Sequence, residues 1–185
     1  MIHVHKSLAD RIGLLAWTVC LAHCLPLAAL AAPAHEHGTA TLDVAFEGST
    51  LSLTLESPLD NLAGFEHAPK NDKQRAALAR METTLRGSHA LLLPTPEAAC
   101  QQTESAVDSP FPVTPGAKPA PGDGDGHAEA TARWSFKCAK PEALSGIEVK
   151  IFDAFTGLRR LKVQAVTPRG QSSTTLTPKK RVLSW

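Results

Sequence analysis

Histidine, aspartate and glutamate gather at three places along this 185-residue chain, in spacings that suit a metal ion. The first is "HEHG", residues 35–38, where His35 and His37 stand two residues apart. In extended chain such side chains point to the same side, so both rings can face one cation. The second is "GFEHAP", residues 64–69, where Glu66 sits beside His67 in a loop that proline holds open. The third is "GDGDGHAE", residues 122–129, where Asp123, Asp125, His127 and Glu129 alternate with small residues. Imidazole with carboxylate is a donor set that zinc accepts, but zinc takes three or four protein ligands, so the two imidazoles of the first stretch need a further donor to approach them. The aspartates also have a loose likeness to a calcium loop, without its bidentate glutamate or its register. His89 heads an apolar stretch and reads as structural.

Other reaction chemistry is missing from the pattern. The chain has no HExxH, no glycine-flanked serine elbow and no phosphate loop, so no enzyme activity is expected.

The chain opens with Lys6 and Arg11 ahead of an apolar run from Ile12 to Ala32, which is the layout of a secretory signal peptide. Small residues permit cleavage after Ala31 or after Ala34. Residues 1–34 are therefore expected to be removed on export, and residues 35–185 to form one domain. An uncleaved anchor is the alternative, since the run approaches the roughly 20 residues that cross a bilayer. Cys20, His23 and Cys24 imitate a metal motif but lie in the segment expected to be lost. Cleavage after Ala34 would expose an amino-terminal His-Glu-His, whose amine, amides and His37 suit square-planar Cu(II) or Ni(II); cleavage after Ala31 would abolish that geometry.

Removing Lys6, Arg11 and Asp10 leaves 17 basic and 17 acidic residues, so no net charge draws in a nucleic acid. Membrane contact is expected only through the leader. Cys100 and Cys138 are the two remaining cysteines, and in an oxidising compartment their pairing is the expectation. In the chain-entropy picture the loop of about 39 residues makes such a bridge worth about 4 kcal/mol.

Thr39–Phe46 and Leu51–Glu56 alternate apolar and polar residues and read as an antiparallel hairpin turned at 47–49. "NDKQRAALARMETTLRG", residues 71–87, carries a capping asparagine, apolar residues at Ala77, Leu78, Met81 and Leu85, and a terminal glycine: one amphipathic helix. Leu91–Leu93, Cys100–Val107, Ala130–Lys137, "GIEVKIF", "LRRLKVQAVT" and "SSTTLT" read as further strands. Between Asp108 and Gly126, proline, glycine and aspartate dominate, and the stretch reads as a mobile insertion. The fold class expected is α+β: a mainly antiparallel sheet with one amphipathic helix, stapled by one disulfide.

Taken in order, "HEHG", "SPLDNLAGFEHAP", "WSFKCAKPEAL" and "VQAVTPRGQ" make the chain from residue 35 onward resemble the periplasmic zinc-binding family typified by the zinc-regulated protein ZrgA. The resemblance implies a periplasmic protein of zinc acquisition. Its motifs fall on His35 and His37, on Glu66 and His67, and on His127. Family insertions can be densely histidine-rich; this one has only His127 with acidic neighbours, which favours a single site over storage. The expectation is a binder that captures Zn(II) and assists its uptake, with an uptake transporter or its binding protein as partner. His35, His37 and His67 would be primary donors, Glu66 an oxygen donor, and His127 with Glu129 a tethered arm. The rival reading is an envelope interaction module whose histidines are incidental.

Overall fold

The computed structural model describes residues 36–111, 113 and 128–185. The expected leader 1–34 with its cleavage point, His35, His127 and most of the insertion lie outside the described residues.

Strands β1 (Thr39–Glu47) and β2 (Thr50–Pro58) form the hairpin read from the alternation, in register from Thr41↔Glu56 to Glu47↔Thr50. On the far side of β2 lie β5 (Glu129–Cys138) and then β4 (Cys100–Asp108), both antiparallel to their neighbours. Beyond β1 the sheet continues with β7 (Arg160–Thr167) and β8 (Gly170–Leu176), in the order β4-β5-β2-β1-β7-β8. Strands β3 (Leu92–Pro94), β6 (Gly146–Val149) and β9 (Val182–Ser184) make a smaller sheet in the order β3-β6-β9.

The mainly antiparallel α+β architecture is thus present, with one exception. β1 and β7 run parallel, from Thr39↔Arg160 to Ala45↔Val166. Parallel neighbours need a long crossover, and here most of the domain lies between the two strands. Their starts therefore fall at the same end of the sheet.

One face of the large sheet is buried, through Leu42, Val44, Leu53, Leu55, Trp134 and Val163 among others, and its opposite face is left to solvent. Helix α2 (Asp72–Arg86) supplies Leu78, Met81 and Leu85 to the same core. Each such leucine, fully buried, contributes about 1.5–3 kcal/mol relative to exposure. The Trp134 indole donates to the Leu85 carbonyl at 2.6 Å, so its one polar atom is satisfied inside the core. Asn71 caps α2 by accepting from the Gln74 amide at 3.0 Å, and the helix stops at Gly87, as read.

Two short helices were not legible from periodicity. These are α1 (Leu59–Ala63) and α3 (Ile151–Ala154). The second corrects the reading of "GIEVKIF" as one strand: β6 ends at Val149, and Ile151 and Phe152 are buried from a helical turn. His89 likewise lies on a 3-10 turn, Ser88–Ala90, and is exposed rather than part of a strand. Cys100 and Cys138 face each other across β4 and β5 and are bonded. The packed fold also reaches into the proline-rich stretch: β4 runs through Asp108, Ser109 is buried, and Phe111 and Val113 pack against the core. The Val113 amide donates to Glu82 Oε1 at 2.9 Å.

Candidate metal centre

At the end of the large sheet where β1 and β7 begin, β2 also ends and β5 also starts, because both are antiparallel to the strand beside them. Four chain segments are brought together there: the turn before β1, helix α1 after β2, the entry of β5 and the entry of β7. Asn61 of α1 ties the first two. Its side-chain oxygen accepts from the Gly38 amide at 2.6 Å, and its amide nitrogen donates to the Thr39 carbonyl at 2.9 Å and to the Ser57 hydroxyl at 3.2 Å. With the Asn61 side chain buried, those bonds are sheltered from competing water, and losing one would strand a buried polar group.

The β7 entry closes the turn from the other side. The Arg159 and Arg160 amides both donate to the Gly38 carbonyl, at 2.8 and 2.9 Å, and the Thr39 amide donates back to Glu36 at 3.0 Å. Gly38 has φ +78°, a conformation side chains resist, which explains glycine after the second histidine of "HEHG". Gly157 is required for a different reason: a Cβ there would lie 2.7 Å from the Asn61 carbonyl oxygen. Glu36 turns toward β7, ion-paired with Arg160 and 3.9 Å from the Lys162 ammonium, which points that carboxylate at cations of the fold.

His37, on this braced turn, places Nδ1 3.2 Å from Asp60 Oδ2 in the first turn of α1. An ionised carboxylate only accepts, so Nδ1 carries the hydrogen of this contact and the lone pair of the neutral ring sits on Nε2. The His37 side chain is 62% exposed and Asp60 41%, so an ion can reach both.

The second motif follows directly. Helix α1 ends at Gly64, and the loop 64–69 carries Glu66, half-buried, and His67, exposed. His67 stacks at a tilt on Phe65, with centroids 5.3 Å apart, and its Nδ1 lies 2.9 Å from the Ala68 carbonyl. A carbonyl also only accepts, so this ring too keeps its lone pair on Nε2. Glu129 opens β5 opposite Pro58, and the carbonyl of Ala128 accepts from the Leu59 amide at 2.8 Å. The return of the insertion is thereby fastened to the residue beside Asp60.

Of the six residues expected to hold a metal, His37, Glu66, His67 and Glu129 are described; His35 and His127 are not. Among the described residues, no group of three or more histidines, cysteines, aspartates or glutamates stands close enough to hold an ion. His37 has a carboxylate partner, but it is Asp60, which is not among the donors expected from the motifs. Its signal was an acidic residue two positions after the proline that ends β2. Asn61, next to it, carries no donor pattern that would single it out in the sequence.

Compared with protein-family models, residues 34–185 match that of the ZrgA family of zinc uptake proteins. Compared directly with individual curated proteins, the chain finds no match.

Proposed function

The chain belongs to the ZrgA family of zinc uptake proteins, and on that premise we propose that it captures Zn(II) in the periplasm and passes it toward an uptake transporter or that transporter's binding protein, catalysing no reaction. His37 and His67 each offer Nε2. His35, Glu66, His127 and Glu129 complete the donor set, drawn on as the ion is bound and handed on.

The observation that carries this reading is the convergence at one end of the sheet. His35 lies two residues before His37 in the chain. His127 precedes Ala128, whose carbonyl is bonded to the residue beside Asp60. A donor set drawn from several chain segments gives a site that forms around the ion and opens again, which suits delivery better than storage. Protons compete for the same nitrogens, so acid conditions release the ion.

The test is calorimetric titration of the purified protein with zinc. One ion per chain is expected, with binding lost when His35, His37 and His67 are all changed to alanine. A triple variant that binds like the wild type, or a protein whose melting temperature does not rise with zinc, would reject the assignment in favour of a docking module with incidental histidines.

A further inference from the structure

The contact between His37 and Asp60 joins residues 23 positions apart, on separate elements, and neither needs the other to complete the fold. The turn bearing His37 is already held by Asn61, Gly38 and the β7 amides, and α1 is already held by Asn61 and by the Leu59 bond to Ala128. What the contact does determine is the ring. It fixes which nitrogen carries the hydrogen and which way Nε2 points.

From this we propose that Asp60 is a positioning residue for metal capture: it accepts from His37 Nδ1–H, holds the imidazole in the tautomer whose Nε2 is open, and makes that nitrogen a stronger donor without itself binding the ion. Carboxylates that accept from the far nitrogen of a ligating histidine act in this way, and their removal costs metal affinity about 10- to 100-fold. The same geometry explains why an acidic residue sits in the first turn of so short a helix. Asn61 places α1 against the β1 entry, and Asp60 is the residue of that helix whose carboxylate meets the ring. This role rests on the reading of His37 as a zinc donor.

Three variants separate the two claims. His37→Ala tests the donor, Asp60→Ala removes the acceptor, and Asp60→Asn keeps an acceptor oxygen while removing the charge. Zinc affinity is measured for each by competition with a chromophoric chelator, beside circular dichroism to verify the fold. Nitrogen-15 spectra of the metal-free protein report the His37 tautomer directly, whatever zinc does. The expected result is a single tautomer in the wild type with Nε2 unprotonated, a tautomeric mixture in Asp60→Ala, and a 10- to 100-fold weaker affinity in that variant. Asp60→Asn should recover a good part of the loss and keep the wild-type tautomer. If His37→Ala weakens zinc binding while Asp60→Ala does not, the positioning role is wrong and the donor assignment stands. If His37→Ala binds like the wild type, the donor assignment fails and this role falls with it. Loss in Asp60→Asn as deep as in Asp60→Ala, with the wild-type tautomer retained, would make Asp60 a direct ligand and overturn the proposal. A wild-type ring protonated on Nε2 would overturn it as well.

Discussion

His37 and His67 present the same open nitrogen but are held by different means. The His37 turn is fixed by bonds that cross the molecule: to Asn61 in α1, to the β7 amides, and from the ring to Asp60. His67 is held by its own neighbourhood, the Ala68 carbonyl and the Phe65 ring, in an exposed loop. A ligand fixed by long-range bonds has little freedom left to lose when an ion arrives, whereas one held only by its neighbours in an exposed loop has more to lose. If the proposed zinc role holds, His37 would be the fixed point of the site and His67 its adjustable donor.

The strongest way to break this contrast is Asn61→Ala. It removes three sheltered hydrogen bonds and strands the Gly38 amide and the Thr39 carbonyl, so about 3 kcal/mol of stability should be lost. Urea denaturation should show it as a lower midpoint, and zinc affinity should fall together with it because His37 loses its support. Next in size is His37→Ala, expected to weaken zinc binding on the order of 100-fold, about 2.7 kcal/mol, with the melting temperature of the metal-free protein little changed. His67→Ala should cost less, about three- to tenfold, because part of what its ring contributes is spent on ordering the loop. Equal losses in the two variants would erase the distinction.

The smallest effect expected is on pH dependence. A proton and a metal ion compete for the same imidazole nitrogen, so affinity must fall as the solution is made more acid. Each donor histidine adds one competing proton, and the plot of log affinity against pH should be shallower in His67→Ala than in the wild type. Calorimetry at several pH values would measure it, and an unchanged slope would remove His67 from the site.

Much of the scaffold was legible beforehand because it depends on local patterns. The alternation in 39–56 dictates a hairpin with one buried face, and Asn71 and Gly87 bracket a helix whose apolar residues recur at helical spacing. Helix α1 escaped because five residues carry too little period to distinguish a helix from a turn. The strand-like apolar run "VKIF" misled for a related reason: burial alone does not say whether the chain is extended or coiled.

Local chemistry also accounts for the candidate donors: histidines beside small residues or carboxylates, and two cysteines in register for a bridge. Which of them meet was decided elsewhere. The parallel pairing of β1 with β7 is a contact between segments some 120 residues apart in the chain, and no local rule specifies it. That pairing, with Asn61 and Gly157 packed at its end, brings Asp60 to His37, a partner that the spacing of the motifs does not name. Spacing along a strand or helix is set by backbone geometry and can be counted, whereas the partner of a surface imidazole depends on how whole strands are ordered in the sheet, a choice made by the core they bury together.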